Sequence, residues 1–340
     1  MLYSIIIPHK NIPELLQRCL DSIPVLEDIQ TIIVDDDSDP AIVDFEHFPG
    51  LGRPNTEVYF DKTGKGAGHA RNVGLEHAKG KWLLFADADD YYTYGIKKII
   101  EGTRISKDDI IYFDSCSLDS ESYRNSIRSA YTHEILKIYH KDKVQGEFLL
   151  RYILGVPWGK LVKRSLVESH KIRFDETVVN NDTTFAYMIG YYAKTISVNQ
   201  TAGYCVTTRE CSVSTTESDE KVLACIDVFA RKYKKLHEWG IEAFEGFIPW
   251  KMRYIKKLGR IDLYSIALDI LRRNGLDESI VEKTPTHYPQ TFYADYEKYN
   301  DFLQSEFGKN MYKVYKDRKK RYRFISLIIK FLDKMKSFLC

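Results

Sequence analysis

The 340-residue chain has no apolar run approaching the ~20 residues that span a bilayer, which argues against a membrane-crossing helix. Its six cysteines (Cys19, Cys116, Cys205, Cys211, Cys225 and Cys340) are scattered, with no C-x-x-C pair. The nearest two, Cys205 and Cys211, lack a partner at finger spacing, so zinc is disfavoured and reduced thiols are expected rather than a disulfide framework. Charge of either sign is scarcely in excess: 50 Lys and Arg against 48 Asp and Glu give a net charge of +2. No global attraction to nucleic acid follows, and the electrostatics that matter are local. There is no internal repeat and no low-complexity segment. The amino terminus, Met-Leu-Tyr-Ser, runs straight into a strand pattern, which predicts no signal peptide.

What is present is an ordinary globular composition, 44% hydrophobic and 29% charged, in a chain long enough for more than one core. Tyr3 to Ile7 reads as a buried strand closed by Pro8. Asn11 is the expected cap of the next helix, Pro13 suits its first turn, and Leu15, Leu16, Cys19, Leu20 and Ile23 share a face. Further strands are expected at Ile29 to Val34, Glu57 to Phe60, Trp82 to Ala86 and Ile110 to Phe113. A glycine-rich loop, Gly64 to Gly68, leads into a helix that Gly80 ends. Strands alternating with helices predict an α/β fold with a mostly parallel sheet. From about Ser115 to Ser214 the pattern is mixed, with helices near Phe148 to Leu154 and Thr183 to Tyr192. Beyond Ser218 it turns helical, notably at Val222 to Trp239 and Ile261 to Arg273. After the turn-rich Thr284 to Pro289, basic Lys316 to Arg323 leads into an amphipathic stretch, Phe324 to Leu339. That tail suits an anionic membrane surface, a partner chain or its own domain.

Two strands end abruptly in acids: Val34 in Asp35-Asp36-Asp37, and Phe85-Ala86 in Asp87-Ala88-Asp89-Asp90. A buried strand needs no carboxylates, so its acidic tip suggests a site for a hard divalent cation that bridges to substrate phosphates. Asp87-Ala88-Asp89 matches the D-x-D pattern of metal-dependent sugar transfer, with a loop of solvated aspartates as the alternative. Asp35 and Asp36 suit a base N–H and a ribose hydroxyl, or else a helix cap or Asx-turn. Gly64 to Gly68 permits close backbone approach to a ligand, with Lys65 and Arg71 supplying charge, yet fits neither a dinucleotide fingerprint nor a P-loop. Asp182 suits a general base and equally a helix cap. Trp158 suits a sugar face or an ordinary core.

Taken in order, these segments resemble the family 2 glycosyltransferases of the GT-A fold. The matching residues are Ser4 to Pro8, Cys19 to Ile23, Ile32 to Asp36, Ala70-Arg71-Asn72 and Ala78-Lys79-Gly80. They continue through Phe85 to Asp90, Trp158-Gly159-Lys160-Leu161, Asn181-Asp182, and Tyr204 with Arg209 and Ser212. The resemblance implies a GT-A domain over residues 1–215, nucleotide-binding in 1–114 and acceptor-binding in 115–215, with a helical region over 216–340. It implies an inverting transfer from a nucleotide-sugar, usually UDP-linked, to a glycan or lipid-linked acceptor in surface polysaccharide synthesis. On that basis Pro8, Asp35, Asp36, Gly66, Arg71, Asp87, Ala88, Arg209 and Ser212 would hold the donor, and Asp89 would ligate Mg²⁺ or Mn²⁺. Asp182 would be the base, and Trp158 and Lys160 would meet the acceptor. No nucleic-acid partner is expected. The implied location is cytoplasmic, and peripheral on the inner face of the plasma membrane if the tail binds there. A binding or scaffold protein without catalysis is the alternative, and a sugar nucleotidyltransferase a further one. Three positions depart from the family pattern: His9-Lys10-Asn11 replaces a Tyr-Asn pair, Asp37 stands where Gly is usual, and Asn181-Asp182 replaces Glu-Asp.

Overall fold

The computed structural model describes residues 1–126, 128–209, 218–243 and 246–283. Contact grouping divides the chain into Met1–Gln290 and Thr291–Cys340. The second unit, with the basic amphipathic tail, lies outside the described residues, as do the break from Thr284 and two of the cysteines, Cys211 and Cys340.

Tyr3–His9 (β1) and Ile29–Asp36 (β2) are buried along their whole length, as β-branched runs covered on both faces should be. Thr56–Asp61 (β3) and Trp82–Phe85 (β4) complete a parallel quartet. Tyr91–Tyr92 (β5), Ile110–Asp119 (β6), Lys160–Lys163 (β7) and Ile196–Thr208 (β8) extend it. Among the described residues the strand order is β3-β2-β1-β4-β7-β6-β8-β5. β7 runs antiparallel to both β4 and β6, and β5 runs antiparallel to β8, so the far half of the sheet is mixed rather than parallel. β6 and β8 are parallel, with register shifts around Asp114. The carboxyl ends of β1, β2, β3, β4 and β6 therefore open on one edge. β1 and β4 flank the point where strand order reverses, where open α/β sheets bind ligands.

Pro13–Ser22 (α1) begins with Pro13 in its first turn as expected, but its cap position is Ile12. Asn11 adopts a left-handed φ of 58° instead. Its N–H donates to Ser38 Oγ at 2.9 Å and its Oδ1 accepts from the Asp39 amide at 2.7 Å. Asn tolerates that conformation because its side chain bonds locally, which frees it for the loop after β2 rather than the helix. Ala67–His77 (α2) ends three residues before Gly80, which instead lies where a Cβ would come within 2.5 Å of Ser4 N.

Gly95–Thr103 (α3) and Ala130–Lys141 (α4) precede Lys143–Tyr152 (α5), which starts earlier than expected because Asp142 caps it through the Gln145 amide. Arg164–Ser169 (α6) and Thr183–Tyr192 (α7) follow. Asp219–Glu238 (α8), Phe247–Lys257 (α9), Ile261–Arg273 (α10) and a 3-10 turn at Glu278–Glu282 share a separate apolar cluster around Ile226, Met252, Ile255 and Leu271. α8 packs on α7. None of the described helices is long and apolar enough to cross a membrane.

α7 lies so close to α5 that a Cβ on Gly190 would fall 2.1 Å from the Arg151 carbonyl oxygen. Backbone cannot yield as a side-chain tip can. Gly190→Ala should therefore cost about 1–3 kcal/mol or more, read as a lowered midpoint in urea unfolding. An unchanged midpoint would mean the two helices are not in this contact.

Candidate active site

The site is built on the carboxyl edge of the parallel quartet. Asp35, at the end of β2, is fully buried. Its Oδ1 takes a hydrogen bond from His9 Nδ1 at 2.7 Å and one from Ser38 Oγ at 2.6 Å, while Oδ2 accepts the Ser38 amide at 3.1 Å. His9 Nε2 accepts the Ile12 amide at 3.2 Å, which leaves the ring proton on Nδ1. Burial pushes the Asp35 carboxyl up, but the bonds from His9 and Ser38 outweigh it and hold it below its usual value. Asp35 is thus a sealed brace for the end of β1, which places Pro8 beside Val34.

Asp36 is the carboxylate nearer the rim. Its Oδ1 accepts the Gly66 amide at 2.9 Å, and Lys10 Nζ lies 3.4 Å from Oδ2. Gly66 has φ of 90° at the start of α2, a backbone conformation L side chains rarely adopt, and the bond to Asp36 fixes the loop there. Asp37 has φ of 54°, so an Asp occupies the left-handed position where the family pattern has Gly.

After β4 the chain turns at Asp87–Asp90, with the Asp90 amide on the Asp87 carbonyl at 3.0 Å. β8 holds this turn. Tyr204 hydroxyl accepts the Asp87 amide at 3.0 Å and donates to Asp90 Oδ2 at 2.8 Å. Thr207 gives its amide to Asp90 Oδ1 at 2.6 Å and its hydroxyl to the Asp89 carbonyl at 2.7 Å. Arg18 of α1 adds a bond to that carbonyl at 2.6 Å. Ala88 is buried between the two acids. Asp87 Oδ1 accepts from Arg71 Nη2 at 2.5 Å, and Asp89 Oδ2 from Arg209 Nε at 2.9 Å. Ser212 lies outside the described residues.

Asp90, third in the acidic run, is the one turned inward. Burial, reinforced by Asp87 and Asp89, drives its carboxyl far above the usual value despite the Thr207 amide. Its contribution to stability is fully present below the unfolded value of about 4 and is lost as pH rises toward the folded one. Asn cannot ionise, so the melting temperature of Asp90→Asn minus that of the unmutated chain should climb between about pH 4 and pH 7. A flat difference would contradict the buried acid.

Asp182 stands at the cap position of α7, yet its side chain makes no capping hydrogen bond. Burial pushes its carboxyl up and Asp87 adds to this, while Arg71 and Lys160 oppose it. Lys160 opens β7 opposite Tyr112, is only 2% exposed, and lays its ammonium 5.1 Å from the Tyr112 ring centre. Burial pulls its pKa down to about 7 against the pull of Asp182. Trp158 is 4% exposed and parallel to the Tyr204 ring at 5.4 Å. It packs in the core and offers no open face to a sugar, so the expectation that it stacks on an acceptor is replaced by the alternative of a core tryptophan.

Arg71 joins the two halves: the guanidinium that holds Asp87 also donates Nη1 to Asn181 Oδ1 at 2.8 Å. It is 5% exposed and lies over Phe174. Charge-assisted bonds of this kind are roughly twice as strong as neutral ones. The departure from Glu to Asn at position 181 therefore keeps an acceptor for Arg71. Local sequence offered no signal for the Arg18, Thr207 or Asn181 contacts, because each joins residues 71 to 118 apart.

Among the described residues no three His, Cys, Asp or Glu side chains converge as a ready-made cation cage. A magnesium-type ion needs only one or two carboxylates when substrate phosphates supply the rest. Asp89 fits that role: its side chain is 18% exposed and, among the described residues, its Oδ1 receives no hydrogen bond.

Residues 4–168 match the family model described as Glycosyl transferase family 2, and this segment belongs to that family. The putative glycosyltransferase EpsH of Bacillus subtilis (strain 168) is 24% identical over 210 residues, 59% of either chain. The poly(ribitol-phosphate) beta-glucosyltransferase of Bacillus spizizenii (W23) is 29% identical over 211 residues, 60% of this chain and 32% of that one. The chain thus spans less than two thirds of these relatives. In structure it is similar to S. aureus TarS 1-349, solved in complex with UDP-GlcNAc, with TM-score 0.56 at 21% identity over 81% of both chains. That likeness establishes the GT-A architecture.

Proposed function

We propose that this family 2 glycosyltransferase transfers a sugar, with inversion, from a UDP-sugar to a hydroxyl of a glycan or lipid-linked acceptor in surface polysaccharide synthesis. The observation that carries the proposal is the Arg71 bridge, which ties the Asp87 turn to the residue preceding Asp182. The bridge supports a reading in which the Asp87 turn and the raised-pKa Asp182 carboxylate serve one site, since Asp182 senses the charges of both Arg71 and Asp87. The relatives named for glycosyl transfer, and the neighbour solved with UDP-GlcNAc, support the donor class.

Asp36 and the Gly66 loop would meet the nucleoside, and Asp87 and Arg209 the diphosphate. Asp89 would hold Mg²⁺ or Mn²⁺, which when bound neutralises charge on the departing diphosphate. Asp182 takes the acceptor hydroxyl proton as that oxygen bonds to the anomeric carbon and the carbon–oxygen bond to the diphosphate breaks, releasing UDP. Lys160, when protonated, favours the ionised form of Asp182. Lys160 therefore serves the acceptor side through the base rather than through an exposed contact.

The test is a thermal-shift panel of UDP-hexoses and UDP-N-acetylhexosamines with and without manganese, followed by an assay of UDP release. Stabilisation by the nucleotide that manganese increases is expected. Binding across the panel with no release in the presence of candidate acceptors would favour a non-catalytic binding protein.

A further inference from the structure

We infer that Arg231, on α8 and outside the family segment, is a positioning residue that sets Asp182 in place by clamping Asp175. The inference rests on Asp182 being the base, and it gives the carboxyl-terminal helices a part in the reaction.

Asp182 is carried on the segment that leaves α6 and enters α7. That segment is strapped at its start, where Asn72 of α2 binds both backbone groups of Phe174, at 2.8 and 3.0 Å. It closes on itself where the Asp175 amide donates to the Asn181 carbonyl at 2.9 Å. Asp175 is thus directly bonded to the residue before the base. Its carbonyl lies 1.9 Å from where a Gly68 Cβ would stand, so α2 leaves it no room on that side. Its carboxylate accepts Thr184 Oγ1 at 2.6 Å, which fixes the first turn of α7 to the same point.

The remaining valences go to Arg231. Nη1 and Nη2 reach Oδ1 and Oδ2 of Asp175 at 3.2 Å each, a two-pronged contact, while Nε is held by Asp227 Oδ2 at 2.9 Å. Asp175 is 17% exposed, so its charge has little water to fall back on if that fork is removed. A planar fork fixes direction as well as distance, and a lysine cannot reproduce it. Removing it leaves the Asp175 carboxylate with Thr184 alone among the described residues, and the loop between Asp175 and Asp182 keeps only the apolar packing of Val179 on the helical cluster. A shift of 1 Å in a reacting group can cost about 100-fold in rate.

The experiment compares full-length Arg231→Met, Arg231→Lys and Asp227→Asn with the unmutated chain. Backbone amide exchange over residues 175–186 is measured without ligand, UDP affinity is measured with manganese, and kcat is measured for UDP release. Arg231→Met should exchange faster there and lose about 10- to 100-fold in kcat, with UDP affinity within about twofold. Arg231→Lys should recover part of the loss, and Asp227→Asn should stay near the unmutated values. Unchanged exchange and kcat in folded Arg231→Met would overturn the clamp, as would a fall in UDP affinity matching that in kcat. If Arg231→Met does not fold, Asp175→Asn, which keeps the shape and the Thr184 bond, carries the same comparison. An unmutated chain that releases no UDP from any donor would sink the glycosyl-transfer assignment, while the exchange data would still decide the clamp.

Discussion

Asp182→Asn is expected to lower kcat by about 10²- to 10⁴-fold, the range that a positioned general base contributes. The substitution keeps shape and volume and removes only the capacity to take a proton. Because the Asp182 side chain makes no capping bond to α7, the helix has no cap to lose, and because burial raises the carboxyl, stability near neutral pH should not fall. UDP affinity should hold within about twofold, since the nucleotide's expected contacts are with Asp36, Gly66 and the Asp87 turn. Burial lifts the Asp182 carboxyl above its ordinary value, and a base works only when ionised. The acid limb of kcat against pH should therefore lie above the usual carboxylate range and vanish in the variant. A variant that kept its rate, or that lost UDP affinity in proportion, would place the residue elsewhere in the chemistry.

The second large effect is expected from Asp89→Ala. One carboxylate is all that the chain would commit to the cation with the diphosphate supplying the rest, since Asp87 is held by Arg71 and Asp90 is turned inward. Loss of supporting groups around a metal already costs about 10- to 100-fold, and loss of the ligand itself should reduce cation-dependent UDP release by at least about 100-fold. The variant also removes the Asp89 carboxylate that accepts Arg209 Nε at 2.9 Å. Nucleotide binding without cation should consequently persist, and only the increment added by manganese should disappear. Calorimetry with UDP, with and without manganese, separates the two. A manganese increment equal to that of the unmutated chain would refute the assignment of Asp89.

How far the fold was legible follows from where the information resides. β1 and β2 were readable because strands covered on both faces must be apolar throughout. α7 and α10 matched their expected bounds, Thr183–Tyr192 and Ile261–Arg273. The far half of the sheet was not readable. β7 has four residues, and β8 interleaves Asn199, Gln200 and Thr201 with its apolar positions, so neither carries a clear period. Their identity as strands comes from pairing with β6, a partner remote in sequence. The acids at the strand ends were visible, but their division of labour was not. Asp35 turns inward because His9 and Ser38 bond it, and Asp90 because Tyr204 and Thr207 do. Trp158 went to the core because Tyr204 covers its face.

Arg71 touches Asp87 and Asn181 at once, and position 181 lies beyond the segment by which the family is recognised. Anyone exchanging residues 4–168 between related enzymes to alter donor choice would sever that grip unless both ends travelled together. Hybrid enzymes should accordingly work only when the swap boundary falls after α7.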